Sequence, residues 1–278
     1  MEKRKKRIWV RSVIQIFFFA VVLLVVISKS LAEAGVSIPF ASNASLHAIC
    51  PFGGVETLYQ YITSGTFIQK IHSSSIVLMY AVLFLTLLFG PIFCGWVCPF
   101  GTFQEFIGKI GRKIFGRKYN HFIPEKFDKV LKYLRYIVLA LVLYNTAVTA
   151  KLIFQDVDPY YALFNMFTGE VAVTAYIALA VITISSLFVE RPFCKYACPY
   201  GAMLGFFGLF SIFKIKRNKQ TCIDCKACDE SCPMNIEVSS SKTVHDHQCI
   251  SCLKCTSDQA CPINNTLDFK VGGYKHEN

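Results

Sequence analysis

Apolar and polar residues follow one another along the chain in long blocks. Four apolar stretches, at about residues 8–27, 76–93, 136–154 and 171–189, are long enough to span about 30 Å of hydrocarbon at about 1.5 Å per helical residue. A further run, 202–213, is too short to cross, and it predicts an interfacial or re-entrant helix. The pattern therefore predicts four membrane-spanning helices.

The composition supports a membrane protein. Of the 278 residues, 54% are hydrophobic and only 17% are charged, and the mean hydropathy is +0.44. These values are too apolar for one ordinary water-soluble domain. The chain has 13 cysteines, but a secreted disulfide scaffold would be shorter and would lack long apolar runs, so that class of protein is excluded.

Basic residues collect in every second segment between the apolar stretches. They are frequent at the N-terminus, between the second and third stretches and after the fourth, whereas 28–75 contains only Lys29 and Lys70 and 155–170 contains none. Because cytoplasmic loops are enriched in lysine and arginine, both termini of this multi-pass cell-membrane protein are predicted to be cytoplasmic. A nucleic-acid partner is not indicated, since the net charge of +11 forms no single stripe interleaved with aromatic residues.

The first apolar stretch allows two interpretations. The segment Ala32-Glu33-Ala34 resembles the cleavage site of a signal peptide. The stretch is long for a signal peptide, which favours an uncleaved membrane anchor. Arg11 and Gln15 lie near its start, where long side chains can reach the lipid headgroups.

An internal repeat relates the two halves of the membrane region. Residues 93–101, FCGWVCPFG, are echoed one hundred residues later by 193–201, FCKYACPYG. Each copy is expected to be a helical hairpin, and because both hairpins have the same orientation, the axis that relates them runs along the membrane normal. Both Cys-x3-Cys-Pro motifs are then predicted to meet on the cytoplasmic side.

The C-terminal region carries two runs of closely spaced cysteines. Cys-x2-Cys-x2-Cys-x3-Cys-Pro begins at Cys222, and Cys-x2-Cys-x2-Cys-x5-Cys-Pro begins at Cys249. The first run has the spacing of bacterial two-cluster ferredoxins, in which the last cysteine of each run ligates the other cluster. The wider final gap of the second run is interpreted as a slightly longer loop. Two 4Fe–4S clusters are therefore predicted, one held by Cys222, Cys225, Cys228 and Cys261, and the other by Cys249, Cys252, Cys255 and Cys232. Structural zinc sites are the alternative.

The predicted fold is thus mainly α, an integral membrane four-helix protein of two parallel helical-hairpin repeats with a small C-terminal two-cluster ferredoxin-like α+β domain. The expected divisions are a first repeat at 1–100, a basic cytoplasmic linker at 101–132, a second repeat with a short interfacial helix at 133–213, and the ferredoxin-like domain at 214–278.

These features together resemble, over nearly the whole length, the membrane polyferredoxin family typified by the NapH subunit of periplasmic nitrate reductase systems and by the membrane part of NosR-type proteins. The resemblance implies an electron carrier between the quinone pool or a cytoplasmic donor and a redox partner at the outer face. Since the chain has no room for the flavin-binding domain of the NosR type, any flavin is expected on a separate partner. The alternative is a redox maturation or sensor protein that supplies electrons for metal-centre assembly or controls a partner.

No catalytic residue is predicted, because no nucleotide-binding glycine signature, catalytic triad or paired-carboxylate arrangement occurs. Catalysis would be limited to oxidation of a quinol or reduction of an outside acceptor.

The membrane motifs add a candidate third iron–sulfur or metal centre. Cysteines four residues apart share one face of a helix, with Cβ atoms about 6 Å apart, and a following proline predicts that each helix stops at the second cysteine. The candidate ligands are Cys94, Cys98, Cys194 and Cys198. Buried thiolates are costly, so Arg191, Lys195 or the cationic core of a cluster would have to offset their charge. Four thiols packed as small apolar groups, or a redox dithiol pair, remain alternatives.

One cysteine is left over on the predicted outer side. Cys50 lies in the segment HAICPFGG, and by the repeat it could converge with His47 and Asp158 on an electron-exit or metal site. A turn in which Cys50 only packs is the alternative. His47 and His72 are weak candidates for quinone contacts or axial ligands, and a covalent c-type haem is not supported because no Cys-x2-Cys-His occurs. Two histidines between the cysteine runs are expected to be solvated, His245 and His247.

Overall fold

The computed structural model describes residues 2–33, 73–149, 156–166, 171–263 and 265–271. The described residues form a mainly helical fold with one small two-stranded sheet. The helices are α1 (Glu2–Glu33), α2 (Ser73–Phe89), α3 (Pro99–Phe115), α4 (Glu125–Leu131), α5 (Leu134–Thr149), α6 (Pro159–Phe164), α7 (Val173–Ser186), α8 (Pro192–Tyr196), α9 (Pro199–Gly208) and α10 (Ala227–Glu230). The strands are β1 (Phe213–Arg217) and β2 (Leu267–Val271).

Among the described residues, one helix is both long and apolar enough to cross a membrane, over Ile8–Ser28 of α1. The apolar parts of α2 and α7, Val77–Phe89 and Val173–Ser186, are shorter. The predicted end of the third stretch lies outside the described residues. The four-helix membrane arrangement is therefore not confirmed by helix length.

Helix α2 ends four residues before the predicted end of its apolar stretch, and the local sequence explains why. Gly90 has a φ of 75°, which is the left-handed region, and Pro91 follows it. The backbone N–H of Gly90 donates to the Thr86 carbonyl oxygen at 2.8 Å, which closes the last turn.

The basic linker predicted at 101–132 contains a long helix, α3, which the sequence analysis did not predict. One face of α3 is buried and rich in glycine. A Cβ atom at Gly111 would lie 2.2 Å from the Leu187 carbonyl oxygen, and one at Gly108 would lie 2.4 Å from the Tyr119 hydroxyl. Glycine is required at Gly111, because there the backbone of α3 lies directly against the backbone of its neighbour.

The run at 202–213, predicted as an interfacial helix, has a different structure. Helix α9 begins earlier, at Pro199, and ends at Gly208, and Phe213 is already the first residue of β1. Ala202 and Leu204 are fully buried, since α9 packs between α2 and α5. The proline start explains the difference, because proline is favoured in the first turn of a helix.

The C-terminal region has its own small core. Strands β1 and β2 pair antiparallel, from Phe213 opposite Val271 to Arg217 opposite Leu267. Apolar residues from the sheet and from the loops between the strands pack together with the cysteines: Ile215, Met234, Ile236, Val238, Val244, Ile250 and Leu267.

Candidate functional site

The eight C-terminal cysteines line two small cavities, four to each. One cavity, which we term the outer cavity because Cys225 in its lining is exposed to solvent, is lined by Cys222, Cys225, Cys228 and Cys261. The inner cavity is lined by Cys232, Cys249, Cys252 and Cys255. These are the two sets expected from the sequence, with the last cysteine of each run facing the cavity of the other run.

The two cavities are closely matched in size. Each has a volume of about 20 Å³. A tetrahedral zinc site with Zn–S bonds of about 2.3 Å would bring its sulfur atoms to about 3.8 Å from one another. Within the described part of the chain, no three His, Cys, Asp or Glu residues converge on a single metal ion in this way.

The two cysteine loops share the same unusual backbone pattern. Asp224 and Lys226 have φ values of 51° and 55°, and Ser251 and Leu253, at the corresponding positions, have φ values of 48° and 58°. Left-handed residues alternating with ordinary ones turn successive backbone N–H groups toward one side, which makes a concave site for an anion. Because non-glycine residues adopt this conformation at a cost, its occurrence in both loops indicates a common structural requirement.

The cavities also provide a chemical reason for a bound cationic core. Burial raises the pKa of Cys232 to about 12, and the neighbouring thiol of Cys252 adds to the effect. Burial likewise raises the pKa of Cys249 to about 12. These thiols become thiolates only when a positive centre offsets the cost of burying their charge.

The Cys-x3-Cys-Pro motifs form matching turns. The backbone N–H of Cys98 donates to the Phe93 carbonyl oxygen at 2.9 Å, and that of Cys198 donates to Phe193 at 2.8 Å. Each second cysteine then caps a new helix that starts at the following proline, α3 after Cys98 and α9 after Cys198. The helix end predicted at each second cysteine agrees with this geometry. In both copies, however, a new helix begins at the next residue.

The four membrane cysteines lie close together. Beyond burial, which is the main cause, repulsion from Cys98 and Cys194 raises the pKa of Cys94, and repulsion from Cys194 and Cys94 raises that of Cys198. The Cys198 sulfur accepts a hydrogen bond from the Gly201 N–H at 3.2 Å. Gln104, on α3, places its side-chain amide 3.6 Å from the Cys194 sulfur.

The inner cavity touches the first membrane motif directly. Gly95 is so close to the second cysteine run that a Cβ atom there would lie 2.5 Å from the Ile250 carbonyl oxygen and 3.3 Å from Cys252 Cα. The indole N–H of Trp96 donates to the Ser251 carbonyl oxygen at 3.0 Å. Cys94 itself packs against the C-terminal core. The inner cavity and the membrane cysteines are therefore neighbours.

Charged side chains around this contact, most of them buried, form what we term the junction network. It consists of Arg11, Glu105, Arg112, Glu190, Arg191 and Lys254. Glu105 lies at its centre and pairs with Arg11 at 2.5 Å and Arg191 at 2.6 Å. Burial alone would raise the pKa of the Glu105 carboxyl, but its cationic partners hold that pKa well below the usual range.

The positions of Arg11 and Gln15 correct the sequence interpretation. Both side chains are buried instead of reaching the headgroups. Arg11 Nε and Gln15 Nε2 each donate to the Gly95 carbonyl oxygen at 3.1 Å. The first helix thus contributes polar groups to the backbone of the first cysteine motif. The sequence analysis predicted no role for Glu105 or Lys254. Glu105 could have been noticed as an acidic residue in a strongly basic segment.

Arg191 and Lys195 have different roles. The Arg191 guanidinium donates to the Cys94 carbonyl oxygen at 2.5 Å and lies within electrostatic reach of Cys194. Lys195 pairs with Asp128 on α4 at 2.7 Å, and burial lowers the pKa of Lys195 to about 8 despite this partner.

Of the residues predicted on the outer side, Asp158 alone is described, and Cys50, His47 and His72 lie outside the described residues. Asp158 caps α6, with Oδ1 accepting from the Tyr160 N–H at 3.0 Å. Burial raises the pKa of Asp158 to about 7.

The two histidines between the cysteine runs make contacts with other side chains, although the sequence predicted that they would be solvated. The ring of His247 lies 5.4 Å from that of Tyr133 and 5.6 Å from that of Tyr136, in a half-buried contact. His245 is exposed, but its Nδ1 lies 2.7 Å from Lys214 Nζ. The cause is the packing of the segment between the two cysteine runs against residues 133–136 and against β1, which the residue pattern did not reveal.

Comparison with known proteins reproduces the internal duplication. A protein-family model described as a 4Fe-4S binding domain matches twice, at residues 71–118 and 171–220. Each match contains one Cys-x3-Cys-Pro motif. No solved structure matches the chain.

Several curated proteins are similar to the chain. A putative electron transport protein, YccM of Escherichia coli K12, is 32% identical over 227 residues, which cover 80% of this chain and 62% of YccM. An uncharacterised protein of Methanocaldococcus jannaschii is 34% identical over 75% of this chain and 82% of its own length. The ferredoxin-type protein NapH of Haemophilus influenzae is 30% identical over 63% of this chain and 61% of NapH. The chain thus spans less than two thirds of YccM and NapH. Together with the cysteine architecture, these similarities show that the chain belongs to the NapH/NosR-type polyferredoxin family.

Proposed function

We propose that this protein relays electrons through two 4Fe–4S clusters, between a cytoplasmic donor or the quinone pool and a redox partner at the outer face of the membrane. The pair of matched four-cysteine cavities is the observation that carries the proposal. Cys222, Cys225, Cys228 and Cys261 would hold the outer cluster, and Cys232, Cys249, Cys252 and Cys255 the inner one. Each cluster, when bound, accepts and gives one electron.

The protein's own contribution is to position and electrostatically tune these centres. The left-handed residues of both loops turn backbone N–H groups toward the cavities, where such donors stabilise the anionic cluster. Arg217 places a guanidinium 3.3 Å from the Cys222 sulfur of the outer cavity. Its partner Asp224, 3.0 Å away, holds the guanidinium in place.

The arrangement supports a defined order of centres. Cys225, in the outer cavity, is exposed to solvent. The inner cavity instead contacts Gly95 and lies next to the membrane cysteines. A cytoplasmic donor would therefore exchange electrons with the outer cluster, and the inner cluster would connect it to a third centre. Cys94, Cys98, Cys194 and Cys198 would hold that centre.

The proposed location is the cell membrane, with several crossings and both termini in the cytoplasm. Exposed apolar side chains support the membrane location. On α7 they recur every three or four residues along one face, at Val173, Ile177, Val181 and Ile184. Helix α5 has an equivalent row at Ile137, Leu141, Tyr144 and Val148. In contrast, Thr86, Thr146 and Ser186 are buried. Apolar rows outside and polar groups inside are expected of helices whose surroundings are lipid.

Anaerobic purification of the full chain, followed by iron, sulfide and zinc analysis and by EPR spectroscopy, tests the proposal. We expect Cys261→Ser to perturb the outer cluster and Cys232→Ser the inner cluster, so each variant should alter a different EPR signal. Exchange of these two outcomes would contradict the cross-ligation. A colourless, zinc-loaded wild-type protein would refute the cluster proposal.

The same preparation tests the third centre. We expect the double variant Cys94→Ser/Cys198→Ser to lose iron relative to the wild type while it keeps both EPR signals. Unchanged iron content in that variant would eliminate the third centre. Quinol added to the oxidised protein tests the donor, because rapid reduction of the clusters supports the quinone pool and the absence of reduction supports a soluble donor.

A further inference from the structure

The junction network reaches into the loop that forms the inner cavity. Lys254 lies between Cys252 and Cys255, and its Nζ pairs with Glu105 at 3.1 Å and also with Glu190. Neither carboxylate belongs to the C-terminal region. A cation inside the inner cysteine run is thus held by two carboxylates from outside the C-terminal region.

The same carboxylates hold cations from three other segments. Glu105 binds Arg11 of α1 and Arg191, which precedes α8, and Glu190 binds Arg112 of α3 at 2.5 Å. The network therefore contains four cations and two anions, a surplus of two positive charges. Apart from Arg112, which is half exposed, these side chains are largely buried.

The surplus lies between the two proposed redox sites. Arg191 donates to the Cys94 carbonyl oxygen and lies within electrostatic reach of both Cys194 and Cys252. Buried charges are weakly screened, so they act on a nearby centre more strongly than surface charges do. None of the six network residues lines the outer cavity.

We propose that the junction network sets the reduction potential of the inner cluster, with Glu105 and Glu190 as the positioning residues that hold Lys254 and Arg191 beside it. This inference rests on the proposed function. Reduction adds one electron to the cluster, and a surplus of positive charge stabilises the reduced state, so the potential follows the net charge of the network. The outer cluster, without such a network, is the internal reference.

Redox titration of the full-length protein, monitored by EPR, tests this proposal. Each signal is assigned to the outer or inner cluster by the cysteine variants described above. Glu190→Gln removes a negative charge and is expected to raise the potential of the inner cluster. Lys254→Met removes a positive charge and is expected to lower it. The control Lys254→Arg keeps the charge and should leave the potential close to the wild-type value, and in all three variants the outer cluster should stay unchanged.

Opposite shifts distinguish tuning from mere structural support, since damage to the fold would not change sign with the charge removed. Glu105→Gln is expected to shift the potential in the same direction as Glu190→Gln. Glu105→Gln leaves Arg11 and Arg191 without their buried carboxylate and could therefore fail to assemble. In that case Glu190→Gln serves as the independent measurement.

Shifts of the same sign in Glu190→Gln and Lys254→Met, equal shifts in both clusters, or no shift would overturn the inference while leaving the electron-carrier proposal intact. Absence of clusters from the wild-type protein would instead overturn the proposed function itself.

Discussion

The contact between Gly95 and the inner cysteine run makes a sharp prediction. In Gly95→Ala the new methyl group would lie 2.5 Å from the Ile250 carbonyl oxygen, about 0.9 Å closer than the 3.4 Å of an ordinary contact. The atoms in its way are backbone atoms, which cannot rotate aside. We therefore expect the cysteine loop to move away from the first membrane motif, at a cost of about 1–3 kcal/mol, the usual range for overpacking.

Tryptophan fluorescence can follow this displacement. The chain has two tryptophans, and Trp9 is largely exposed while the Trp96 indole is hydrogen-bonded at the contact. In a Trp9→Phe background, Gly95→Ala should lower the thermal midpoint and change the Trp96 emission. The control Gly201→Ala places its Cβ at 3.5 Å from Cys198 and should change neither property.

Wild-type stability and emission in Gly95→Ala would refute the close contact. The same variant should also retain the outer cluster signal, because Gly95 is remote from the outer cavity.

Two further predictions concern buried charges. Arg11→Leu leaves Glu105 with one cation fewer in a buried site, so it should destabilise the protein by about 3–5 kcal/mol, whereas Ile16→Leu on the exposed face of α1 should be neutral in thermal unfolding. Asp128 has a lowered pKa, because hydrogen bonds from Lys195 and Tyr196 and the charge of Lys195 outweigh the effect of burial. Its contribution to stability is therefore present above the usual aspartate pKa of about 3.9 and is lost as the pH falls through the folded-state pKa. Asp128→Asn should therefore flatten the acid side of the stability profile, and a profile as steep as that of Glu125→Gln, an exposed substitution on α4, would contradict this.

The cysteine architecture was accessible from sequence because it is local. Ligand spacing within a run is a property of consecutive residues, and the pairing of Cys232 with the second run follows from the known pattern of two-cluster ferredoxins. The helix break at Cys98 was equally local, since it depends on the following proline.

The junction network was not accessible from sequence because its members meet only in the folded chain. Glu105 and Lys254 are separated by 149 positions, and nothing in the periodicity of either segment indicates a partner. Arg11 illustrates the same limit. An arginine near the end of an apolar helix is equally compatible with a contact to lipid headgroups and with a buried position. The distinction depends on what packs beside the helix.

The two copies of the repeat differ at the residue that follows the first cysteine of each motif, Gly95 in one copy and Lys195 in the other. The backbone at Gly95 lies directly against Ile250 and Cys252, whereas the corresponding residue of the second copy is Lys195, whose side chain binds Asp128. The two copies thus contact the second cysteine run in different ways, the first through its backbone at Gly95 and the second through the Glu190 carboxylate, which binds Lys254. A substitution in either copy would therefore act on the same loop by a different route, sterically at Gly95 and electrostatically at Glu190.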